Sequence, residues 1–494
     1  MIFPHVKYFF LWLMLFVSAL NSCSVSEKDY TALKERLKET DANWQLFLDD
    51  HLIEKKENIK SALHNPVKYS ENPVIRADVP WEENPYCFGT VIFDKDENIF
   101  KIWYESYNNS QKVPKRTPVL YSVSKDGIYW ERPVVGEYEF NGSKENNIVM
   151  QNYGFHDLYS PGVIKDTLDP DPSRRYKMVF WDFPLGKEGY RDDGMCVAFS
   201  PDGIHWKKFK DNPVLHAKKT ERSISDVLSV MYDSNSGKYV VYSKGWAEPW
   251  PAFRQIVRTE SDDFIHWSEP VPVITHKHDL TDPQSYGMAV SQFGNNYIGL
   301  LFSYKKPGNE TIDIQLAVSH DNKKWERVAD MQTFIPLGPE GSWDDGMLFS
   351  APLFNHGGKT MIFYSGWDNS HNSKEVRHSG IGMAELRLNG FVSLDAAGKG
   401  FVTTKTMKNA SGPLIVNADA KNGSLRAEIT GPDGKPVEGY SMEECLPVTS
   451  DDVSTVVKWR SKTELPEMPE GLKIRFELNN TSLYGFYIGE DATN

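Results

Sequence analysis

Ser124-Lys125-Asp126-Gly127-Ile128-Tyr129-Trp130 is the first of four stretches built on one pattern, Ser-x-Asp-x-x-x-Trp. The others carry Ser200, Asp202 and Trp206; Ser261, Asp263 and Trp267; and Ser319, Asp321 and Trp325. Recurrence of one spacing is the mark of a repeat architecture. Ahead of each copy lies a polar turn and an aromatic-rich strand, at 100–104, 176–181, 239–243 and 297–302. A fifth such strand, 360–364, follows the turn Asn355-His356-Gly357-Gly358 and has only a degenerate version of the motif. In the third unit, apolar runs punctuated by Gly, Asn and Asp predict four strands over about 226–232, 239–243, 255–260 and 267–274. Four-stranded units repeated in this way are propeller blades. The expected fold is all-β: a five-bladed β-propeller over 44–387, followed by a β-sandwich over 388–494, where the aromatic strands cease. Residues 45–48 are expected to close the last blade.

A chain of 494 residues exceeds one ordinary core, and its 13% aromatic content with 35 Gly and 29 Pro suits a turn-rich β protein. The net charge of −13 argues against a nucleic-acid partner, which needs a basic face. Lys7 precedes an apolar run, 8–20, too short to span a bilayer comfortably. The run ends in Leu20-Asn21-Ser22-Cys23, which resembles a bacterial lipobox. The expectation is a signal peptide over 1–23, lipid on Cys23 and a tether over 24–43. The protein would sit in the periplasm or at the cell surface, held to the outer membrane by lipid alone, as a monomer. Cys87, Cys196 and Cys445 show neither a disulfide framework nor zinc-like spacing, and read as isolated core thiols.

Blade topology separates the two faces. The Ser-x-Asp-x-x-x-Trp turns join third to fourth strands and share one face, where Ser and Asp bond turn amides and Trp packs. The opposite face gathers the starts of the inner strands. Asp157, Asp226, Asp282 and Asp345 stand at these starts in blades two to five, and Glu82 and Glu83 precede that of blade one. A single Asp there ordinarily caps a turn. Several converging on one axis would crowd together and split their pKa values, supplying an acid and a base or nucleophile. Glycoside hydrolysis needs such a pair. Glu82 and Glu340 are candidates for the acid, since the longer arm of Glu reaches a glycosidic oxygen. Trp246, Trp250, Trp343 and Trp367 are candidate platforms for sugar rings, and Arg254 a further binding residue. His278 and His371 carry no assignment.

Several stretches resemble the five-bladed clan of glycoside hydrolase families 32 and 43, with the related mannoside phosphorylases. Asn72-Pro73-Val74-Ile75 before Pro80-Trp81-Glu82 is similar to the clan's entry to blade one, and Ser160-Pro161-Gly162-Val163-Ile164 to its second inner strand. Ser225-Asp226-Val227 falls where family 32 carries Arg-Asp-Pro, whose Asp stabilises the transition state; here Ser and Val flank the Asp. The stretch from Trp343 to Pro352, with Ser365-Gly366-Trp367, resembles the late propeller strands. The family 32 nucleophile and acid motifs are absent. The resemblance implies a glycosidase, exo-acting because the site lies at one end of a propeller, on a carbohydrate substrate. No cofactor is expected, although clan members often hold a calcium ion in the axial channel. The alternatives are a non-catalytic carbohydrate-binding propeller and a glycoside phosphorylase, for which Arg191, Arg254 and Arg377 would supply a phosphate pocket. A sialidase fits less well: its box is one residue longer, and it uses six blades and an arginine trio.

Overall fold

The computed structural model describes residues 30–39, 44–107, 117–154, 156–184, 193–217, 223–247, 253–275 and 283–489. They are nearly all β, with one α-helix, Thr31–Leu37. Five antiparallel units follow one another. Unit one runs Pro85–Asp94, Ile99–Ser106 and Val119–Ser124, with Trp130–Glu131 and Ile148–Met150 on its outer edge. Unit two runs Tyr159–Lys165, Tyr176–Asp182 and Gly194–Ser200, edged by Lys207–Lys208 and Leu215–His216. Unit three is Leu228–Asp233, Lys238–Trp246, Arg254–Ser261 and Val271–Ile274. Unit four is Gln284–Phe293, Asn296–Tyr304 and Ile312–Ser319, edged by Glu326–Arg327 and Thr333–Ile335. Unit five pairs Met347–Ser350 and Phe354–His356 with Lys359–Trp367, which pairs with Ser379–Arg387.

The innermost strand of each of the first three units packs on that of the next, and Met347–Ser350 returns to Pro85–Asp94, so the series closes. Each unit is therefore covered on both faces. That is why the middle strands read as unbroken apolar runs rather than alternating ones; all nine residues of Asn296–Tyr304 are buried.

The four repeated turns join third strands to their outer edges, as expected. In the first, Ser124 Oγ accepts from Gly127 N at 2.9 Å. Asp126 Oδ1 accepts from Ile128 N and Tyr129 N, and Trp130 Nε1 donates to Gly127 O. The same bonds recur around Asp202 and Asp263. The position of Gly127 has φ 75°, and Phe264 and Asn322 hold it at 68° and 60° in units three and four. An aromatic from the preceding unit covers the turn: Trp103 Nε1 donates to Gly203 O at 2.7 Å.

A second device between units has no counterpart in the motif. Inner strands one to three end at or just before Asp94, Asp166 and Asp233. These accept hydroxyls from the next unit's second strand: Tyr176, Tyr239 and Tyr297, at 3.1, 2.5 and 2.7 Å. Lys101 and Lys177 neutralise the first two, at 2.8 and 2.7 Å.

Two expectations about the N-terminal segment are corrected. Gln45–Leu46 does not close the last unit; it pairs with Lys473–Ile488. The closing strand is Val67–Lys68, on Ser379–Arg387. The reason lies in the side chains: Phe47 enters the C-terminal core, while Leu46 and Leu48 pack toward unit four. The described part of the expected tether is docked rather than loose. Leu33 and Leu37 are buried, Lys34 Nζ lies 3.3 Å from Asp452, and Tyr30 donates to Glu464.

The C-terminal sheet has eight strands, three of them N-terminal: Gln45–Leu46, Ile53–Glu57 and Lys60–Leu63. Two long strands, Val392–Thr404 and Lys473–Ile488, shift register between Ala396 and Lys399, where Gly398 takes φ 96°. Beyond that bulge their partners change, and Leu394, Val402, Leu414, Leu425, Trp459 and Phe476 share one core. Cys87, Cys196 and Cys445 are buried free thiols.

Candidate active site

At the N-terminal ends of the inner strands lies a cavity of about 190 Å³. Tyr86, Phe88, Tyr107, Tyr159, Tyr286 and Trp367 line it with rings, and Asp226, His371 and Arg377 with polar groups. Three of the tyrosines are aimed by bulges. The inner strands of units one, two and four lose register after Tyr86, Tyr159 and Ser285, and the extra residues, two in unit one and one in each of the others, re-aim the side chains beside them. In unit two the irregularity places Ser160 at φ 54°.

Each of these tyrosines is fixed by a hydrogen bond. Tyr86 donates to Glu105 Oε1 at 3.0 Å, Tyr159 to Asp157 Oδ2 at 3.1 Å, and Tyr286 pairs with His371 Nε2 at 2.8 Å. Glu105 is fully buried and also accepts from Ser160 N at 2.8 Å, while its Oε2 has no partner. Burial pushes its carboxyl far above the usual range, against the two bonds, and the charges of Asp226 and Asp157 push the same way. The carboxyl stands directly behind Tyr86. His371 is held down at about 4, first by burial and then by Arg254, Lys244 and Arg377, and so is neutral.

Asp226 is the carboxylate in the wall. Its side chain is 35% exposed, whereas Lys244, 2.6 Å away, is 6% exposed. Burial raises the Asp226 carboxyl, but Lys244 and Ser225 Oγ at 2.7 Å outweigh it, and the net shift is downward. Asp226 thus stays ionised in an aromatic cavity. Asp157 is buried and outside the cavity lining, and reaches it only through the Tyr159 hydroxyl that it accepts.

The other expected residues divide. Trp367 lines the cavity. Arg254 stands just behind it, its guanidinium over Trp246, Tyr286 and Tyr304 at 5.1, 5.3 and 4.9 Å from the ring centres. Trp246 is thus the arginine's platform. Glu82 is not in the lining: it is buried, and Arg132 Nε and Nη2 and Tyr104 donate to it at 2.8, 2.9 and 2.6 Å. Asp345 caps a turn, its Oδ2 accepting from Gly341 N at 2.6 Å, and Glu340 in that turn is exposed. Trp343 stacks on Tyr364 at 5.7 Å and fills the space that Gly366 leaves, where a Cβ would stand 2.5 Å from its ring. Asp282, Trp250 and Cys23 lie outside the described residues. Sequence reasoning missed Glu105, although an acid closing the aromatic run 100–104 was a signal, and it missed Lys244.

A larger cavity, about 580 Å³, lies at the opposite ends of the inner strands. Its charged lining includes Asp94 and Lys165, which are paired at 2.6 Å, so its charge serves the joints between units. Among the described residues no cluster of three or more His, Cys, Asp or Glu is arranged to hold a metal.

No family model matches the chain, and no curated protein does. Among solved structures it is similar to an N-acetylgalactosamine deacetylase from F. plautii bound to blood group B trisaccharide, at 15% identity over 67% of this chain and 95% of that one, TM-score 0.44. It is similar to a β-1,2-mannobiose phosphorylase from Listeria innocua, at 10% identity over 66% and 97%, TM-score 0.45. A thermostable family-43 glycoside hydrolase gives 14% identity over 63% and 92%, TM-score 0.43. A family-43 hydrolase and a mannoside phosphorylase, groups named by the sequence motifs, are thus among the similar structures. Likeness at this level transfers no activity.

Proposed function

We propose that the chain is a carbohydrate-active enzyme, a glycoside hydrolase whose active site is the aromatic cavity. The observation that carries this reading is Asp226, reachable from the cavity and kept ionised there by Lys244. In the proposal Asp226 acts as base or nucleophile. Asp157, which accepts the hydroxyl of Tyr159 in the cavity wall, is taken as the second carboxyl group that glycoside cleavage requires. The rings of Tyr86, Tyr159, Tyr286 and Trp367 offer faces to a sugar. A small cavity at one end of the strands suits a chain end, hence exo action.

The closed series of five units supports a five-bladed β-propeller over 67–387, and the bent sheet behind it a β-sandwich of 44–63 with 388–489. The lipobox-like Leu20-Asn21-Ser22-Cys23 supports a lipid anchor that holds the protein in the periplasm or at the cell surface. Release of the Cys23→Ala variant into the soluble fraction is expected; continued membrane retention refutes the anchor.

The enzymatic reading is tested on a panel of aryl glycosides. Asp226→Asn and Asp157→Asn should each lose about 10² to 10⁴-fold in turnover, the range for positioned proton transfer, while melting near wild type. Sugar binding without cleavage of any glycoside would make the chain a binding module instead.

A further inference from the structure

The cavity has a positive side that hydrolysis of a neutral sugar does not explain. Lys244 is engaged by Asp226. Arg254 and Arg377 form no ion pair among the described residues. Arg377 lines the cavity, its guanidinium over the Trp367 ring at 5.7 Å and its Nη1 bonded to the His371 carbonyl at 2.7 Å. Arg254 Nη1 donates to Gln284 Oε1 at 3.1 Å, and its Nε is buried without a partner. Both forks are thus held in place by rings and neutral carbonyls, with donors left over. His371 between them is uncharged and adds nothing to either sign. Arg377, part-exposed in the cavity wall, keeps donors that an anionic ligand can take up. A planar guanidinium fork matches a carboxylate in particular.

Resting on the glycoside hydrolase reading, we infer that the sugar taken by this cavity is a uronic acid, its carboxylate received by Arg377 with Arg254 behind it. The substrate class is then an acidic glycan.

The test uses the full-length protein in detergent with free monosaccharides, which have no glycosidic bond to cleave, so the Asp226–Lys244 pair stays intact. Binding of D-glucuronate and D-galacturonate is measured beside D-glucose and D-galactose. One acidic sugar should bind about 10 to 100-fold more tightly than its neutral counterpart, the usual return of a charged hydrogen bond. The ratio should shrink with added salt. An Arg377→Gln change should bring it near one, and Arg377→Lys should restore part of it. Equal or tighter binding of the neutral sugars overturns the inference, and so does a ratio that Arg377→Gln leaves untouched. The comparison of sugars needs no change at Arg377, so a misfolded variant does not shelter the idea. Binding of inorganic phosphate that depends on Arg377, with no preference for uronates, also overturns it, since the anion would then be a phosphorylase's co-substrate. If no sugar binds, acidic or neutral, the carbohydrate reading itself falls.

Discussion

Lys244 Nζ lies 2.6 Å from Asp226 Oδ1, with the lysine buried and the aspartate open to the cavity. The cation reaches Asp226 from the second strand of its own unit, so it neutralises the acid from behind without blocking it. Lys244→Met removes the larger of the two effects that oppose burial, leaving the Ser225 hydroxyl, and should raise the Asp226 carboxyl. The acid limb of the pH–rate profile should move up by about one pH unit or more, while kcat at the plateau changes less. An unmoved acid limb would mean that Asp226 is not the group whose ionisation the rate reports.

Glu82 makes the opposite case. Its partners Arg132 and Tyr104 hold it in the outer part of unit one, away from the cavity. Glu82→Ala should cost about 3 kcal/mol of stability, as when one side of a buried ion pair is removed. Activity per folded molecule should survive. Chemical denaturation and turnover, measured on one preparation, separate the two effects.

His371 should make the site acid-sensitive. Its folded pKa, about 4, lies below that of an unfolded histidine, about 6.5. The folded state therefore binds fewer protons between these values. The stability that His371 contributes is fully present above about pH 6.5 and is lost as pH falls toward 4. Protonation would also turn Nε2 into a donor and end its acceptance of the Tyr286 hydroxyl. Melting temperatures taken from pH 7 to 4 should fall more steeply for wild type than for His371→Asn.

The joints between units offer a stability test independent of the site. Tyr239→Phe removes the hydroxyl that Asp166 accepts and leaves Lys177 in place. A loss of about 1 to 2 kcal/mol is expected, and about 3 to 5 kcal/mol for Tyr176, Tyr239 and Tyr297 changed together. Equilibrium unfolding measures both, and a triple variant as stable as wild type would show that these hydroxyls are replaceable by water.

The repeated turns were legible because their bonds are local: Ser124, Asp126 and Trp130 satisfy one another within seven residues, so the spacing itself carries the geometry. Asp226 was legible because the repeat fixes where an inner strand begins. What could not be read was long-range pairing. Glu82 resembles an exposed turn acid until Arg132 is brought beside it, fifty residues on. Lys244 resembles a solvated lysine until its strand is seen to be buried on both faces. Gln45–Leu46 and Val67–Lys68 are both short strands, and only the tertiary core decides which of them joins unit five.

Val67–Lys68 has a consequence for how the chain matures. This strand leaves the ribosome early, yet its partner around Ala384–Glu385 follows roughly three hundred residues later. Until then the first-made strand has no edge to join, and the fifth unit, once made, presents an open edge of its own. Closure of the series has to wait for the fifth unit, and it is slow because a long loop must be gathered first. Truncated or stalled chains would lack it, and the exposed edge is where their association with one another should begin.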